Sequence, residues 1–201
     1  MASDAFSRFM SSLALDYERW HDGEGYDLDA LVHIEQSERA DVVGELARRD
    51  ATWRDIDALE AVDIPHACNA IKRALRDSDS IDTRLAAAAA LHRLGKLDEP
   101  IDAVLAREIV TLDEVRDGCT RALLMAEEHP TEPVKRALLE ASHRRTESAM
   151  HCAAVLCYVT GAAKEAFDWD LRPLFLRLGP NTPEDDRSAA LREVCALVKA
   201  E

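Results

Sequence analysis

A segment that repeats itself limits this chain more than any other feature. Thr83-Arg84-Leu85-Ala86-Ala87-Ala88-Ala89-Ala90-Leu91, closed by Leu94-Gly95, meets Val115-Arg116-Asp117-Gly118-Cys119-Thr120-Arg121-Ala122-Leu123 after a shift of 32 residues. An arginine, two small residues and a final alanine-leucine pair recur at the same internal spacing. A shift of 66 residues carries Gly95 onto Gly161 and brings Ala149, Ala153, Ala154 and Leu156 into the matching small or apolar positions. Arg54 with Ala58 gives a weaker copy, 30 residues before Arg84. A period near 33 residues with two helices per unit marks a stack of helical hairpins. One hairpin cannot bury its own apolar face, so each leans on the next, and small side chains let the helices approach.

Helix signals run the length of the chain. Phe6, Phe9, Met10, Leu13 and Tyr17 recur at three- and four-residue steps, which predicts a helix over 3–20. The glycines of His21-Asp22-Gly23-Glu24-Gly25 end it, and a short segment over 28–34 follows. Ser37 and Asp50 read as caps for helices over 37–49 and 50–62, and Pro65 fits the first turn of the next. Asp77-Ser78-Asp79-Ser80 reads as turn and cap before a helix over 81–94, which stops at Gly95. Further helices are expected over 99–109, 112–128 with Thr111 as cap, 133–142, 146–160 and 184–199. Their short connections require antiparallel neighbours.

The turn Asp77-Ser78-Asp79, followed by Thr83-Arg84, Ala87-Ala88, Ala90-Leu91 and Leu94-Gly95, resembles HEAT-like repeat proteins, whose second helix reads V-R-x-x-A-A-x-A-L and often closes on L-G. The copy at 115–123 matches less fully, with Cys119-Thr120 in place of Ala-Ala and Glu127 in place of the glycine. The resemblance implies an all-α fold: a right-handed α-solenoid of about four hairpins, with N- and C-terminal capping helices. The expected organisation is a cap over 1–35, repeats over 36–161 and a second cap over 162–201, in one continuous domain. It implies structural roles for Asp77, Asp79, Arg84 and Arg116, the arginine pairing with the turn aspartate, and for Gly95 and Gly161 as helix stops. Met150 replaces the arginine in the third copy, which therefore lacks the tie.

Charge narrows the function further. The chain carries 39 acids against 25 bases, a formal net charge of −14, and residues 1–63 hold 16 of those acids with 6 bases. Such a field repels phosphate backbones and attracts a basic partner, so no nucleic-acid partner is expected. No apolar run approaches a membrane span, and Met1-Ala2-Ser3-Asp4-Ala5-Phe6 lacks the start of a secretory signal; the expected location is the cytoplasm, with no membrane partner. The odd set Cys68, Cys119, Cys152, Cys157 and Cys195 contains no CxxC pair and reads as reduced thiols among apolar neighbours. The seven histidines form no metal-binding pair, and no phosphate loop or nucleophile motif occurs. No catalytic residue, metal or cofactor is expected.

The acids of 22–60 are the candidates for a partner: Asp22, Glu24, Asp27, Asp29, Glu35, Asp55, Asp57 and Glu60, with Glu38, Asp41 and Glu45 among them. Converged on one face, they would steer a lysine- or arginine-rich surface into contact. Trp20 and Trp169, at an element end and in an irregular segment, are candidate anchors, whereas Trp53 sits on a repeat helix and reads as core. Small acidic helical-repeat proteins resemble the immunity proteins that accompany bacterial toxins, and that resemblance implies an inhibitor masking a basic active surface. The alternatives are a scaffold or adaptor in a cytoplasmic complex, or a HEAT-like DNA glycosylase or chromophore lyase.

Overall fold

The computed structural model describes residues 2–14, 25–62, 64–115 and 118–199. Trp20, Asp22, Glu24 and Arg116 lie outside these described residues. Within them run twelve helices and no strand: α1 (Asp4–Ser12), α2 (Leu28–Val32), α3 (Arg39–Leu46), α4 (Trp53–Val62), α5 (Pro65–Asp77), α6 (Ile81–Arg93), α7 (Ile101–Ile109), α8 (Cys119–Glu128), α9 (Glu132–Ser142), α10 (Ala149–Val159), α11 (Arg172–Leu176) and α12 (Glu184–Val198). None of these helices is long and apolar enough to cross a membrane.

The chain divides into two compact units, Met1–Asp98 and Glu99–Glu201. In the first, α3 packs on α4 and α5, α4 on α5 and α6, and α5 on α6, so each helix meets the next and the next but one. Phe9, Leu31 and Ile34 share a single core with Val42, Leu46, Ile56, Leu59, Ile71 and Leu91. Residues on both sides of position 35 thus bury apolar surface against each other. In the second unit α7 packs on α8 and α9, and α8 and α9 both pack on α10. Phe175 and Val194 bury themselves with Ala153, Ala154 and Cys157.

The repeat has a clear local basis in α6 and α10. Ala87, Ala88, Ala153 and Ala154 are wholly buried, which places the aligned small residues on the packed faces. Both helices stop at a glycine in the left-handed region, Gly95 at φ 64° and Gly161 at φ 79°, which an L side chain adopts only at a cost. Past Gly95 the Lys96 amide reaches back to the Leu91 carbonyl at 2.8 Å, satisfying an end-of-helix acceptor.

The middle copy departs from expectation. Helix α8 opens at Cys119 and not at Leu112, behind Gly118 at φ 72°. The displaced segment serves the α9–α10 turn instead. Ser148 donates its hydroxyl to the Leu112 carbonyl at 2.6 Å, and the Glu147 amide donates to the Asp113 carbonyl at 3.1 Å. Arg144 closes the same knot, donating to the Val110 carbonyl and to the Asp113 carboxylate. Thr111 caps nothing, since its hydroxyl donates to the Glu108 carbonyl at 2.8 Å.

The arginine tie also takes another form. Arg84 donates to the main-chain carbonyls of Ser78 at 2.7 Å and Asp79 at 3.0 Å, while the Asp77 carboxylate accepts from its neighbour Arg76. That contact holds the Asp77 carboxyl below the usual carboxylate range. Caps shift by a residue or two as well. Ser80 caps α6 by accepting from the Thr83 amide at 3.3 Å, but Glu38, not Ser37, precedes α3, and Thr52 with Asp55, not Asp50, starts α4.

Candidate binding cleft

Antiparallel helices put the α3–α4 connection and the α5–α6 turn at the same end of the first unit. Two hydrogen bonds hold them together: Thr83 donates its hydroxyl to the Ala51 carbonyl at 3.3 Å, and Arg73 donates to the Ala47 carbonyl. Between them lies a cleft of about 620 Å³, floored by Leu46, Leu59, Ala70 and Ala74 and edged by Trp53, Asp50, Asp77, Asp79 and Asp82. The volume is that of a small-molecule or side-chain site.

Asp55 braces the wall of the cleft through Thr52, which lines it. The aspartate is only 2 % exposed. Its carboxylate accepts from the Thr52 amide at 2.8 Å, the Thr52 hydroxyl at 2.7 Å and the Tyr26 hydroxyl at 3.0 Å, with Arg49 at 3.6 Å completing the group. Reaching back from the first turn to the residue before the helix is the work of a capping box. Burial, and then the Asp55 charge, push the Tyr26 phenol above its ordinary value.

The cleft's cations are occupied. Arg49 faces Asp55 and Tyr26, Arg73 donates to Ala47, and the Arg54 guanidinium lies 4.4 Å from the centre of the Trp53 ring. Asp50 and Asp79 sit exposed at the mouth, and neither carboxylate has an ion-pair partner among the described residues. The arrangement can take up a cationic group.

The acids expected to form one face are largely spent on the fold. Asp27 caps α2 through the Ala30 amide at 2.9 Å and pairs with Arg8 at 2.7 Å. Glu60 pairs with Arg93 across 2.5 Å, Glu45 with Arg48 across 3.0 Å, and Glu38 accepts from both the amide and the hydroxyl of Ser3 at 2.6 Å. Those two Ser3 bonds hold Glu38 below the usual carboxylate range. Asp57 is half-buried and engaged. Asp55 is a buried structural residue and presents nothing to a partner. Asp29, Glu35 and Asp41 stay exposed.

Trp53 is half-buried against the core of the first unit, as its place on a repeat helix suggests. In the second unit Trp169 stands 71 % exposed, with the Arg172 guanidinium 4.6 Å from its ring centre. Its loop is held by Asp168, whose carboxylate accepts from the amides of Lys164 at 3.0 Å and Asp170 at 2.9 Å and is thereby kept below the usual carboxylate range. Beside it Phe167 adopts φ 64°, packed against His151 and Phe175 at ring distances of 4.7 and 6.0 Å. Partial burial lowers the His151 pKa from its ordinary value.

Burial raises the thiols of Cys119, Cys152 and Cys157 to about 11, 12 and 11, so all three are inert near neutral pH. No cluster of potential metal ligands occurs among the described residues. The cleft itself was not singled out from sequence; the free aspartates of two turns were its only signal, and both look like ordinary turn residues. No known protein family, curated protein or solved structure matches this chain.

Proposed function

We propose that this chain is a HEAT-like helical-repeat binding module, and that the cleft between its α3–α4 and α5–α6 turns receives a lysine or arginine side chain from a basic protein partner. One observation carries the reading: two unpaired carboxylates, Asp50 and Asp79, edge a cleft of about 620 Å³. A guanidinium entering there meets free acceptors, while the resident arginines are already engaged and do not compete. The solenoid arrangement is supported by α3 to α6, in which each helix packs on the next and the next but one. The net charge of −14 favours a basic partner over a nucleic acid. In its narrowest form the function is inhibition, with the module masking a basic active surface as immunity proteins do.

A scaffold or adaptor role is the second reading, favoured by Trp169, an exposed aromatic on a clamped loop that would offer another contact surface. Capture from the native lysate with tagged full-length chain separates the two. The cleft reading expects a basic partner whose capture falls about tenfold, a 1.4 kcal/mol loss, when Asp50→Asn and Asp79→Asn are combined. Capture that survives this pair but disappears with Trp169→Ala removes the cleft from the account. The inhibitor form further requires that the captured protein lose its own activity when bound.

A further inference from the structure

The opposite ends of α4 and α5 form a second cavity, of about 390 Å³, which the binding of a basic protein leaves unused. Leu59, Ile64, Pro65 and Leu94 give it apolar walls, and Lys72 and Lys96 stand at its edge. Among the described residues its lining holds these two lysines and no acid, whereas the partner cleft is lined by Asp50, Asp77, Asp79 and Asp82. Lys96 is positioned by the left-handed stop at Gly95, through the bond from its amide to Leu91. Its ammonium has no ion-pair partner among the described residues. Lys72 already holds a carboxylate: both oxygens of Asp98 lie 2.9 and 3.1 Å from its Nζ. That pair is weak, because Asp98 is 85 % exposed and solvent screens it.

We infer that this cavity binds a small amphipathic carboxylate, its alkyl chain against Leu59, Ile64 and Leu94 and its anionic head between Lys96 and Lys72, where it displaces Asp98. An apolar floor with a cationic lip requires a ligand that has both parts; a plain anion gains nothing from the walls, and an amine is repelled at the lip. Cys68 lines the same cavity and precedes Lys72 by one helical turn, so a bound chain covers its half-buried thiol. The partner cleft shares Leu59 with this cavity and is otherwise lined by other residues, so the inference does not rest on the partner reading.

Octanoate, hexanoate and octylammonium serve as probes on the full chain, read by calorimetry and by the alkylation rate of Cys68. Cys195, half-buried in the second unit, is the internal control. Octanoate is expected to slow Cys68 alone. Hexanoate, two methylenes shorter, should bind about tenfold more weakly, and octylammonium should not protect. Lys96→Glu should weaken octanoate about tenfold, with Lys96→Arg restoring it. Absence of both heat and protection with octanoate overturns the proposal. So does equal protection by octylammonium, or unchanged binding to Lys96→Glu.

Discussion

Asp55 shows how one carboxylate can hold a local structure. It accepts from the Thr52 amide and hydroxyl and from the Tyr26 hydroxyl, tying the start of α4 to the segment before α2. Replacing it removes a helix cap and leaves polar partners unsatisfied, each worth on the order of 1 to 2 kcal/mol. Asp55→Ala should therefore lower stability by about 2 to 3 kcal/mol in urea unfolding, while Tyr26→Phe costs about 1. An Asp55→Ala variant as stable as the parent would mean that these bonds form equally well with water. Asp57, two residues on, is half-buried, whereas Asp55 is 2 % exposed. Side by side in sequence the two look alike. Only the direction of the helix face distinguishes them.

At the level of helices, how each one ends matters as much as what it contains. Gly95 has open space where a Cβ would stand, so Gly95→Ala meets no neighbour and pays only for its φ of 64°. The expected loss is about 1 kcal/mol, seen as a fall of a few degrees in Tm. A change within error would show that the α6 stop relaxes into another turn. Arginines close other ends from afar. Arg39 donates to the Val62 carbonyl at 3.0 Å, Arg73 to Ala47, Arg144 to Val110, and Arg187 to Ser142 at 3.2 Å. A guanidinium placed on terminal carbonyls satisfies acceptors that the helix leaves open and meets the negative end of its dipole. Arg187 does this while only 4 % exposed. Its closeness to the α9 end is why burial of a cation is tolerated there.

Over the whole molecule, total charge and usable charge differ. The formal value of −14 counts many acids that already hold an arginine, a lysine or a helix end. Opposite charges that are paired contribute little field at a distance, but the excess still steers. Association with a basic partner should slow steeply as ionic strength rises, while dissociation changes little. Stopped-flow mixing at several salt concentrations measures both rates. A salt effect confined to dissociation would place the important charges in the closed contact and not in the approach.

The amino-acid sequence alone determined that the chain is helical, that α6 and α10 share a pattern, and that each stops at its glycine. These are local properties: backbone preference and the spacing of small residues act within a few turns. It also implied an acidic character, because charge simply adds along a chain. Which acids remain free was decided by the tertiary structure. Asp55 and Glu60 lie close together in sequence to Asp50, yet the first two are committed to Tyr26 and Arg93, residues 29 and 33 positions away, while Asp50 is not. The shortened α8 has the same origin, since Asp113 is recruited by Arg144, 31 positions on. Contacts over such separations depend on how helices stack, and no local pattern encodes them.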